Sequence, residues 1–132
     1  MFEAEGRHES IEPPENGSYW IDVCALDDLL PGTGVAAMLF GEQVALVRPR
    51  ADEVVYALSN FDPFSRAFVI ARGIVGDRAG EPKIASPVYK QNFSLITGAC
   101  LDDPGVRLPV YPVRVVDRRV EVDVAYLWKE RR

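Results

Sequence analysis

Few side chains in this chain can do chemistry, and their spacing works against catalysis. The one histidine, His8, sits in a polar N-terminal stretch, MFEAEGRHESIEPPENG. Any Ser-His-Asp or Cys-His unit would have to use it, and a solvated histidine is the ordinary reading of such a setting. Cys24 and Cys100 stand far apart, in neither a CxxC nor a CxH context. With a single histidine they cannot complete a zinc site of the usual kind within one chain, so they read as buried, reduced thiols. Asp27-Asp28 and Asp102-Asp103 are adjacent carboxylates, but neighbours along a strand point apart. Asp102-Asp103-Pro104-Gly105 reads as a turn. Neither Pro31-Gly32-Thr33-Gly34 nor the stretch GIVGDRAG fits a phosphate loop or a dinucleotide fingerprint. The chemistry these residues predict is that of a protein without its own catalytic centre.

The elements that would position any site are short strands. The chain has 132 residues, 48% of them hydrophobic, enough for one domain with a real core. The net charge of −5 argues against a nucleic-acid partner. The dense basic cluster at the C-terminus, Lys129 to Arg132, reads as a solvated tail. No apolar run nears the roughly 18 residues of a membrane helix, and the N-terminal stretch lacks the apolar core of a secretory signal. A cytoplasmic protein with no membrane partner is expected. Residues 1–17 are expected to be flexible, 18–126 to form the domain and 127–132 a basic tail.

YWIDVC, VAAMLF, QVALVR and VVYALS read as strands, and Asp27 to Leu30 as one helical turn. Gly41-Glu42 is expected to turn a type II′ hairpin between VAAMLF and QVALVR. A loop-rich middle runs from Asn60 to about Asn92, with short strands around Phe68 to Ala71 and Lys83 to Ser86. YPVRVV and RVEVDV alternate cleanly. Val113 and Val115 share one face with Val120, Val122 and Val124 opposite, and Arg114, Glu121 and Asp123 point away. The connecting Asp117-Arg118 lacks glycine, which predicts a longer or strained turn. Short strands at this spacing indicate an all-β sandwich or barrel.

Two stretches resemble the cluster loops of Rieske-type [2Fe-2S] domains. That family places Cys-Pro-His on one loop and Cys-Pro-x-His-Gly on the second, followed by a Phe and a Thr-Gly turn. Here the loops read Asp62-Pro63-Phe64 and Ser86-Pro87-Val88-Tyr89-Lys90, followed by Phe93 and Thr97-Gly98. The resemblance spans roughly residues 19–124 and implies an all-β, Rieske-like fold, an antiparallel sandwich or barrel with a loop-rich subdomain. All four ligand positions are changed: Asp62 and Ser86 replace cysteines, Phe64 and Tyr89 replace histidines. A Rieske centre needs two thiolates on one iron and two imidazoles on the other, so no cluster, cofactor or metal is expected in this chain. Phe64 and Tyr89 are expected to pack between the loops and fill the vacated volume.

The stretch from Ser59 to Pro104 is more specific. DPFS, RGIVGD, SPVYKQNFSL and TG-x-CLDDP together resemble the small-subunit family of assimilatory NAD(P)H-dependent nitrite reductase. That resemblance implies an accessory, non-catalytic subunit whose partner is the large subunit, where FAD, sirohaem and a [4Fe-4S] cluster reduce nitrite to ammonium. The alternative is a stand-alone Rieske-like binding module without redox activity. In either case the loops are the candidate partner contact, through Phe61, Arg66, Tyr89, Lys90, Gln91 and Asn92, because aromatics and arginine are enriched at interfaces.

Overall fold

A computed structural model describes residues 1–4 and 17–125 of the chain. Strands dominate it: β1 (Phe2–Ala4), β2 (Trp20–Ala25), β3 (Thr33–Leu39), β4 (Glu42–Arg48), β5 (Tyr56–Ser59), β6 (Phe61–Asp62), β7 (Ala67–Phe68), β8 (Ile74–Arg78), β9 (Glu81–Ala85), β10 (Asn92–Ser94), β11 (Val110–Tyr111), β12 (Val113–Val116) and β13 (Arg119–Asp123). Single 3-10 turns at Leu26–Asp28 and Ile70–Arg72 interrupt them. The strands form a five-stranded sheet in the order β1-β3-β4-β5-β11, three-stranded sheets β12-β13-β2 and β10-β9-β8, and the hairpin β6-β7.

The run Val44-Ala45-Leu46-Val47 explains the layering. All four are fully buried, which an alternating strand achieves only when both faces are covered. Val44 and Leu46 pack with Ile21, Val23, Val120 and Val122 in one core. Ala45 and Val47 pack with Ile70, Ile84, Phe93 and Leu95 in a second. The five-stranded sheet therefore stands between the β12-β13-β2 sheet and the loop-rich subdomain. Cys24 belongs to the first core and Cys100 to the second, and both are free thiols. Burial, reinforced by Asp28, pushes the Cys24 thiol up to about 11, so it stays protonated and inert.

The β12-β13 register matches the alternation in the sequence: Val113 faces Val122 and Val115 faces Val120. Arg114 Nε meets Glu121 Oε1 at 2.6 Å, and its guanidinium lies 4.2 Å from the centre of the Trp20 ring. Asp117-Arg118 is a tight turn with φ of 50° and 60°, strained by about 1–2 kcal/mol per residue. Arg118 offsets part of that cost, pairing with Asp27 and accepting a backbone bond from Leu26 at 2.8 Å.

Two expectations are corrected. The β3-β4 turn is Phe40-Gly41, one residue earlier than Gly41-Glu42, and both residues have positive φ, the pattern of a type I′ turn. Phe40 gains an edge-on contact with Tyr19, ring centroids 5.7 Å apart, which favours this register over a glycine-led one. The stretch GIVGDRAG is not loop: it supplies β8 and the Ala79-Gly80 turn into β9. The N-terminal segment begins with a strand, β1, parallel to β3, where Phe2 packs against the first core. Residues 5–16 and 126–132, with His8 and the basic tail, lie outside the described residues.

Candidate functional site

The two Rieske-like loops repeat one local structure. In the first, Phe64 N donates to Asp62 Oδ1 at 2.9 Å and Arg66 N to the Asp62 carbonyl at 2.7 Å. In the second, Val88 N donates to Ser86 Oγ at 3.3 Å and Lys90 N to the Ser86 carbonyl at 3.1 Å. Asp and Ser favour such side-chain-to-backbone turns. Each loop then closes on a residue in the left-handed region, Arg66 at φ 60° and Lys90 at φ 66°.

The loops are joined through the two positions that carry cysteines in Rieske domains. Ser86 Oγ donates to Asp62 Oδ2 at 2.5 Å, and both residues are fully buried. Ser65 Oγ donates to the same oxygen at 2.9 Å. Burial alone would raise the Asp62 carboxyl, but the bonds from Ser86, Phe64 and Ser65 outweigh it and hold it below its ordinary value. A carboxyl lowered in the folded state stabilises the fold fully above its unfolded value, roughly pH 4, and loses that contribution as pH falls further. Denaturant midpoints should therefore drop below about pH 4, with a shallower drop in Asp62→Asn. Identical slopes for the two proteins would contradict this assignment.

Neighbouring elements fix the loop bases. Asn60, almost fully buried, donates through Nδ2 to Gln43 Oε1 at 3.0 Å and accepts from Ala71 N at 2.7 Å. Beyond the second loop, Asn92 N and Nδ2 donate to Asp102 Oδ2 at 2.7 and 3.0 Å, while Lys83 Nζ donates to Asn92 Oδ1 at 2.6 Å. The backbone bond from Asn92, helped by its side chain and by Arg78, lowers the Asp102 carboxyl. Gly98 keeps a positive φ of 79° in the expected Thr97-Gly98 turn.

The candidate contact residues separate into two groups. Tyr89 and Lys90 are exposed at the end of the second loop and Arg66 at the end of the first. Phe61 is half-buried and stacks on exposed Phe68, centroids 5.1 Å apart. Gln91 and Asn92 face inward more than expected: Asn92 engages its amide internally, and Gln91 Oε1 is buried without a hydrogen-bond partner. The volume-filling expectation holds for Phe64, whose ring lies 6.2 Å from that of buried Phe93. It fails for Tyr89, which is 61% exposed; the Asp62–Ser86 bond already closes the gap, and the phenol stays in water. Asn60 and Gln43 were not legible as loop anchors, because Gln43 reads only as a polar position on a strand.

A Rieske-like [2Fe-2S] domain family matches residues 19–123. The nitrite reductase (NADH) small subunit of Salmonella typhimurium is 45% identical over 105 residues, covering 80% of this chain and 97% of that protein. The chain belongs to this small-subunit family. The crystal structure of a candidate NADH-dependent nitrite reductase small subunit from Mycobacterium tuberculosis superposes with a TM-score of 0.76 at 51% identity, covering 80% of this chain and 95% of that one. The nitrite reductase [NAD(P)H] large subunit of Klebsiella oxytoca is 38% identical over 111 residues, which are 84% of this chain but only 11% of that protein. A domain of this kind is thus built into a large-subunit chain there.

The donor set of this small subunit does not fit the cluster that gives the wider family its description. Phe64 has no lone pair. The Asp62 carboxylate and Ser86 hydroxyl are spent on each other, and Tyr89 is largely exposed to water. Among the described residues, no group of three or more His, Cys, Asp or Glu side chains is placed to hold a metal ion.

Proposed function

We propose that this chain is the accessory subunit of a cytoplasmic NAD(P)H-dependent nitrite reductase. It contributes no redox centre and docks on the large subunit, which carries FAD, sirohaem and a [4Fe-4S] cluster and reduces nitrite to ammonium. The observation that carries this reading is the pairing of close identity to small subunits with four ligand positions that supply none of the thiolates and imidazoles a Rieske centre needs. The Klebsiella match supports the partner, because a domain of this kind is part of a large-subunit chain there. Among the described residues no helix is long and apolar enough to cross a membrane. The relatives do not favour a stand-alone binding module.

Two measurements test this reading. The purified chain should be colourless and substoichiometric in iron; a visible spectrum with two irons per chain, as a Rieske centre gives, would overturn the cluster-free assignment. The tagged chain should retain the large subunit from native lysate. Failure to retain it, with the chain folded, would overturn the accessory role.

A further inference from the structure

Among the described residues, six other than glycine have positive φ. Glycine adopts that backbone at least cost, so each of the six needs a return. Phe40 gains Tyr19, and Arg118 gains Asp27 and Leu26. Arg66 and Lys90 each gain the backbone bond that closes their loop, to the Asp62 and Ser86 carbonyls, but their side chains gain almost nothing among the described residues. The Arg66 side chain makes no hydrogen bond or ion pair among the described residues, and the Lys90 ammonium reaches only the Pro87 carbonyl, at 3.5 Å. Arg50, Arg78, Arg114, Arg118 and Arg119, by contrast, all have acidic partners.

The second loop exposes Val88 and Tyr89, and the β6-β7 hairpin that carries the first loop exposes Phe68. Between Asn60 and Phe68, and between Ser86 and Asn92, the one acid is Asp62, which is fully buried. A protein of net charge −5 therefore exposes apolar side chains on the same two loops as two cations that have no acidic partner among the described residues. Long cationic side chains held on left-handed turns without internal partners of their own point to a function at that place, and local charge steers and registers association with a surface of opposite sign.

We infer that this loop-pair surface docks on an acidic rim around an apolar socket of the large subunit, with Arg66 and Lys90 as the paired electrostatic contacts and Tyr89 entering the socket. This rests on the accessory-subunit reading and gives it a place and a chemistry. The competing surface is a groove of about 580 Å³ lined by Val54, Ile96, Val110 and Arg114. Its shape says nothing of what would cover it, and its Arg114 is already paired with Glu121.

The test measures the Kd of the purified chain for the purified large subunit at low and high salt. The probes are Arg66→Gly/Lys90→Gly, Arg66→Glu/Lys90→Glu and, at the groove, Ile96→Glu, an exposed position. The glycine pair removes both charges at positions whose backbone suits glycine, so it should melt no earlier than the parent. Its Kd should nonetheless rise about tenfold, and more for the glutamate pair. Binding of the parent should weaken with salt, and Ile96→Glu should leave its affinity unchanged. A glycine pair that binds as tightly as the parent overturns the inference and leaves the accessory role standing. Loss of binding in Ile96→Glu alone overturns it in favour of the groove. Absence of any binding by the parent overturns both readings.

Discussion

Replacing Asp62 by alanine should cost about 3 kcal/mol of stability, because the hydroxyls of Ser86 and Ser65 and the Phe64 amide all lose one buried acceptor. For a domain of this size that is roughly a 10 °C fall in melting temperature. Ser86→Ala should cost about half as much, since the carboxylate keeps its other two donors. Asp62→Asn should fall between them, retaining an acceptor oxygen without its charge. The ordering is the informative part. If all three substitutions cost under about 1 kcal/mol, the loops are held by something other than the Asp62–Ser86 bond, and the view that this bond has taken over the cluster's place as their cross-link fails.

Gly98→Ala should be about as damaging, for a steric reason. A Cβ there would sit 2.0 Å from the Leu108 carbonyl oxygen, on a backbone at φ +79°. Leu108 cannot withdraw freely, because its N–H donates to the Gly98 carbonyl at 2.8 Å and Ala99 bridges Arg107 beside it. The left-handed conformation alone costs a side chain about 1 kcal/mol; the backbone collision should bring the total to about 3 kcal/mol. Gly80→Ala separates the two contributions. Gly80 has φ +89° with nothing near its Cβ position, so it should show the conformational cost alone. Equal melting shifts at the two sites would show that Leu108 yields and that this contact does not fix the second loop's exit.

The residues explain which parts of this structure could be read from sequence. The β12-β13 hairpin was legible because one face is buried and the other is wet, so valines and charges alternate. The buried run of β4 was legible as strand for the opposite reason, having no wet face at all. The β3-β4 turn was misplaced by one residue because local turn preference yields to the Phe40–Tyr19 contact, which joins residues distant in sequence. β1 and β8 were missed: three residues ahead of a polar stretch carry no period, and the three glycines of GIVGDRAG mask a strand.

At the site, the four changed ligand positions and the Thr97-Gly98 turn came from sequence. The bond between Asp62 and Ser86, 24 residues apart, did not, because neither residue type announces its partner. Nor did the outward placement of Tyr89. An aromatic replacing a buried ligand reads as filler until the neighbouring pair is seen to have closed the gap already.

The most direct test of the central claim is to express the large subunit with and without this chain, then compare nitrite-dependent NAD(P)H oxidation and the content of FAD, sirohaem and iron–sulfur cluster. An accessory subunit without a redox centre should raise specific activity or cofactor loading when present, while carrying no iron itself. Equal activity and equal loading with and without the chain would contradict it.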